Sequence, residues 1–124
     1  MKGNTIMNND TERHAETVMV RGEHAPRGAE GEKLLVNGQR MGLRLWEHEQ
    51  TGVGKSEHQN EYEYVAYVIS GVVKITMDKL SFEARTGDSY CVPANTPYSL
   101  EIIEEATVVE ATCPSDRGDV TPIE

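Results

Sequence analysis

The chain has 124 residues and a formal net charge of −9, with 37% hydrophobic and 27% charged residues. That length closes one hydrophobic core, not two. Twenty-one acidic residues against twelve basic ones leave no basic patch for phosphate-backbone binding, so no nucleic-acid partner is expected, and an anionic membrane surface is disfavoured for the same reason.

No apolar run approaches the ~20 residues that cross a bilayer. Residues 1–9 are polar and lack an apolar signal region, which makes the cytoplasm the expected compartment. Residues 1–32 read as an N-terminal arm, partly flexible, with Thr17–Val20 as a candidate edge strand and a Gly-, Pro- and charge-rich loop after it.

From Lys33 the pattern changes. Leu34–Val36 runs into the turn residues Asn37-Gly38, and Met41–Trp46 alternates with Leu43 and Leu45 on one face. Arg44 reads as an exposed strand arginine, with a pocket cation for an anionic ligand as the competing reading. Tyr62–Ile69 is aromatic and β-branched and ends at Ser70-Gly71. Val72–Met77 meets a turn at Asp78-Lys79, and Leu80–Ala84 leads to Gly87-Asp88. Tyr90–Val92 precedes Pro93–Pro97. Tyr98–Ile103 and Ala106–Ala111 follow, separated by Glu104-Glu105.

About eight short strands with Gly, Pro and Asn punctuation predict an all-β sandwich or barrel over residues 33–114. Residues 115–124 read as a polar C-terminal tail. The cysteines, Cys91 and Cys113, have no metal-ribbon or C-x-x-C spacing. Cys91, in the run Ser89–Val92, reads as a small buried hydrophobe.

Gly52, His58 and Gly71 have the spacing G-x5-H-x12-G, and Gly87 and Pro93 have the spacing G-x5-P. Tyr67–Gly71 and the segment Gly87-Asp88…Val92-Pro93 add further matches. In these residues, from about Leu34 to Pro114, the chain resembles the two motifs of the cupin superfamily. The resemblance implies a double-stranded β-helix, a jelly-roll barrel with room for one small ligand. Gly71 and Gly87 are expected at sharp turns, with Asn95 in a left-handed conformation.

The family's usual metal is held by two His and a Glu of the first motif and a His of the second. Carried over residue by residue, these become His58, Asn60, Tyr64 and Tyr98. These four are the candidate ligand-binding residues; on a continuous strand His58, Asn60, Tyr62 and Tyr64 would share one face. Asn60 is a weak neutral donor, and a phenol with pKa near ~10 ligates well only as phenolate. The expectation is a small-molecule-binding cupin with no metal and no cofactor, its ligand unidentified.

Two alternatives stay open. One is a metal-dependent dioxygenase or isomerase with an atypical His/Tyr/Glu site, for which Glu57, Glu61, Glu63 and His48 are the spare donors. Their competing reading is a solvated surface. The other is a metal-free epimerase or isomerase with His58 as base and Tyr64 or Tyr98 as acid, the roles seen in metal-free nucleotide-sugar epimerases of this superfamily. Trp46 either caps the pocket or packs a dimer face, and the resemblance implies a homodimer.

Overall fold

A computed structural model of the protein describes residues 18–52 and 56–116. Six strands follow in chain order: β1 (Lys33–Asn37), β2 (Gly42–Glu49), β3 (Glu63–Met77), β4 (Leu80–Arg85), β5 (Ser89–Val92) and β6 (Tyr98–Cys113). All pairings are antiparallel. The fold is the expected all-β jelly-roll barrel.

Two long strands build it. The first half of β3 pairs with β5 and with the second half of β6, as in Tyr64↔Val92 and Tyr64↔Thr112. The second half pairs with β4 and the first half of β6, as in Ile75↔Phe82 and Ile75↔Leu100. β2 and β1 extend the first of these layers beyond β6. Each long strand therefore serves both walls of the barrel.

The expected eight segments became six strands because Ser70-Gly71 and Glu104-Glu105 are bends inside continuous strands. The ladder between β3 and β6 shifts register around Ser70 and Val72. Gly71 sits at φ +94°, and a side chain there would overlap the backbone of Glu105 and Ala106. Glycine is thus required both for the conformation and for the close approach. The bulge also flips the pleat: Tyr64, Ala66 and Val68 point inward before it, and Val73, Ile75 and Met77 after it.

These residues, with Val92, Ile102, Ala106 and Val108, form one continuous core. Each fully buried Val or Ile contributes roughly 1.5–3 kcal/mol. Asn95 takes φ 59° and Gly87 φ 92°, as their turn positions require.

Several expectations change. Residues 18–20 form no strand, and Thr17 lies outside the described residues. Cys91 is exposed, because Tyr90 and Val92 take the inward positions of β5. Ser115 and Asp116, read as the start of the tail, pack against the barrel: Ser115 Oγ donates to Asn37 Oδ1 at 2.5 Å, and Asp116 N donates to Thr112 Oγ1 at 3.0 Å. Among the described residues, no helix is long and apolar enough to cross a membrane.

Candidate functional site

The segment before β3 and the start of β6 are tied by their backbones. His58 N donates to Tyr98 O at 2.7 Å, and Tyr98 N donates to His58 O at 2.8 Å. Asn95 N, in the turn before β6, donates to Asn60 O at 2.6 Å. These bonds bring the two motifs together at one end of the barrel.

His58, Asn60, Tyr64 and Tyr98 all line one cavity of about 290 Å³. The Asn60 amide donates to the Tyr98 hydroxyl at 3.3 Å. The Tyr98 ring lies 6.0 Å from the His58 ring and 5.7 Å from Tyr64, centroid to centroid. Val73, Leu100, Ile102 and Val108 supply apolar wall. Tyr90 completes the aromatic lining, edge-on to Tyr64 at 6.2 Å. Its hydroxyl is buried and makes no well-formed hydrogen bond to the protein.

Arg44 overturns the exposed-arginine reading. Its side chain is 8% exposed and points into the barrel. Nε donates to Glu110 Oε1 at 2.6 Å, and Nη1 donates to Asp116 Oδ2 at 2.9 Å and to the Tyr62 hydroxyl at 3.1 Å. The guanidinium carbon lies 5.4–5.6 Å from the ring centroids of Trp46, Tyr62 and Tyr64. Trp46 Nε1 donates to the same Glu110 oxygen at 2.9 Å. Leu43 and Leu45 share one face of β2 as read, but they are only half-buried, and it is the alternate position, Arg44, that is buried. The inward face accepts Arg44 because two carboxylates and three rings compensate its charge.

Glu110, Asp116 and Tyr90 were not singled out by sequence. A signal for Glu110 did exist, since it shares the inward parity of Ala106, Val108 and Thr112 on β6.

Burial and the Glu110 charge push the Tyr64 and Tyr90 phenols above the ordinary tyrosine range. Burial also raises Tyr98, against the hydrogen bonds from Asn60 and Tyr64 that lower it. Burial works against the Arg44 charge, but Glu110 and Tyr62 more than offset it, so the guanidinium is held firmly protonated. Burial raises the Glu110 carboxyl above its usual range, opposed by Arg44 and by the Trp46 donor.

The donor set does not fit the family's divalent metal. One imidazole, one amide and two phenols held in the neutral form offer no anionic ligand at the four motif positions. The spare donors do not supply one. Glu57, Glu61 and Glu63 are exposed. His48 pairs with Glu105 at the surface, Nδ1 to Oε2 at 2.9 Å. Among the described residues, no three His, Cys, Asp or Glu side chains converge on a common point.

The cupin domain family profile matches residues 45–113, and the chain belongs to that family. Solved structures agree on the fold. An RmlC-like cupin from Shewanella frigidimarina is 18% identical, with a TM-score of 0.70 over 84% of this chain and 96% of that one. KdgF from a Halomonas species is 18% identical, with a TM-score of 0.67 over 77% of this chain and 93% of that one. The cupin domain of Schizosaccharomyces pombe Cnp3 is 13% identical, with a TM-score of 0.66 over 78% and 69%. None of the curated proteins is a detectable relative by sequence.

Proposed function

We propose that this cupin binds a small molecule inside the barrel and does so without a metal. The observation that carries the reading is the Tyr90 hydroxyl, buried at the wall of the cavity without a well-formed hydrogen bond, although the Tyr64 hydroxyl approaches it. A buried polar group left unsatisfied costs stability, and a ligand atom reaching Tyr90 would remove that cost. His58, Asn60 and Tyr98 supply further donors and acceptors, and the aromatic and aliphatic walls supply contact area.

Thermal denaturation of the purified protein against a panel of small polyols, amines and aromatic compounds tests this. A true ligand at a hundred times its Kd stabilises by about 2.7 kcal/mol. Tyr90→Phe should weaken binding of that compound roughly tenfold, the value of one net hydrogen bond. A stoichiometric transition metal that co-purifies, and is lost in His58→Ala, would sink the reading.

A second reading rests on His58 and Tyr98 standing side by side at the cavity. The neutral Tyr98 phenol is suited to act as an acid and the His58 imidazole as a base. It predicts that a compound found by the panel is chemically changed, with the change abolished in both His58→Ala and Tyr98→Phe.

A further inference from the structure

We propose that the cavity takes a small organic cation, an ammonium or amidinium compound, in the part of the barrel bounded by His58, Tyr90 and Tyr98. The proposal rests on the reading that this cavity is a ligand site, and it names the class of ligand.

Charge is the first argument. Among the described residues, Arg44 is the one lysine or arginine in the lining. Its guanidinium already faces Glu110 at 2.6 Å and Asp116 at 2.9 Å. A carboxylate or phosphate reaching Arg44 would lie beside two carboxylates, in a setting where like charges repel far more strongly than in water. Glu30 and Glu32 also line the cavity, on the segment before β1, so the approach is acidic as well.

Beside Tyr90 and Tyr98 the Arg44–Glu110 pair does not cancel. At Tyr90 and Tyr98, Glu110 pushes the phenol upward more than Arg44 pulls it down. At those two hydroxyls the Glu110 carboxylate thus outweighs the Arg44 guanidinium, which favours a cation beside them. The chain's charge of −9 adds a long-range attraction for cations.

The walls give the second argument. Tyr64 meets Tyr90 and Tyr98 edge-on, with interplanar angles of 73° and 64°. Ring faces attract cations most strongly where water is excluded. The Tyr90 hydroxyl is the independent mark of a missing partner: the residue is 8% exposed, and its oxygen is buried without a well-formed hydrogen bond, although the Tyr64 hydroxyl approaches it. That oxygen can accept an N–H. The protein supplies its own precedent in the same cavity, where Trp46, Tyr62 and Tyr64 surround the Arg44 guanidinium. A cavity of about 290 Å³ lies at the small end of ligand pockets.

Isothermal titration calorimetry on the full chain at neutral pH tests this, with three probes of one scaffold: benzylamine, benzyl alcohol and benzoate. Benzylamine is expected to bind at least about tenfold more tightly than benzyl alcohol, with benzoate weaker than both. Added salt should weaken benzylamine and leave benzyl alcohol nearly unchanged. Tyr90→Phe should lower the benzylamine affinity, and the double variant Glu30→Gln/Glu32→Gln, away from the buried cluster, should shrink the preference for the amine. Equal binding of amine and alcohol, or tightest binding of benzoate, overturns the proposal and leaves a ligand site of another class. If no benzyl probe binds while a polyol from the panel does, this proposal falls and the ligand-site reading stands. If neither experiment finds any binding, both fall.

Discussion

Three phenols set the chemistry available inside the barrel. Tyr64, Tyr90 and Tyr98 stand where burial opposes a negative charge, and all three are raised above the ordinary phenol range. For a group raised in this way, the folded state holds its proton where the unfolded state releases it. Stability from these residues is therefore fully present below the ordinary phenol pKa of ~10 and falls as pH rises beyond it. Tyrosinate absorbance followed through an alkaline titration should show that these three ionise together with loss of folded structure, not before it. Tyr98→Phe should remove one late-ionising phenol and leave the others. If a tyrosinate instead forms well below pH ~10 in the folded protein, a phenolate is available as a ligand and the argument against a metal fails. Replacement of imidazole and carboxylate by tyrosine thus changes more than the donor count, because it leaves a wall that is neutral at physiological pH.

At the level of elements, the barrel depends on two strands that bend without losing their partners. Gly71 makes the bend in β3, at φ +94° and against the backbone of Glu105 and Ala106. Gly87 has a similar φ of +92°, but nothing lies within 4 Å of where a side chain would begin. The pair separates conformational strain from steric overlap. Gly87→Ala should cost roughly 1–2 kcal/mol, the penalty for a left-handed residue bearing a Cβ. Gly71→Ala carries the same strain and must also push β6 away, so its loss should be clearly larger. Urea unfolding at unchanged m-value reads both. Equal losses would mean that β6 gives way freely at Glu105 and that the bulge does not fix the register. The same bulge explains why inward positions change parity along β3, and hence why Tyr64 and Val73 both reach the cavity.

For the molecule as a whole, the legible parts of the sequence were those governed by local chemistry. Gly52, Gly71, Gly87, Pro93 and Asn95 mark turns and bends whose backbone angles few residues tolerate, so their spacing carried the fold and placed His58, Asn60, Tyr64 and Tyr98 at one cavity. Whether Ser70-Gly71 ends a strand or bends it depends on the partner strand, which local sequence does not contain. The inward face of β2 was hidden for a related reason. Leu43 and Leu45 alternate with Arg44 and Trp46, and hydrophobicity alone chooses the leucines for the core. The decision is tertiary, because Glu110 lies 66 residues away and Asp116 lies 72 residues away. Their cluster joins β2, the approach to β3, and the end of β6, so its energy is a property of the closed barrel. Removing one member of a buried ion pair strands the other, at a cost of roughly 3–5 kcal/mol, whereas replacing both with apolar residues is often neutral. Arg44→Met should therefore destabilise strongly, by leaving Glu110 uncompensated. Arg44→Met/Glu110→Leu should recover much of that loss, with Asp116, at 10% side-chain exposure, as the remaining charge. A denaturant cycle of wild type, both single variants and the double variant gives the coupling directly. A coupling near zero would show that Arg44 and Glu110 are each stabilised by other neighbours, and that the cluster is not what closes this end of the barrel.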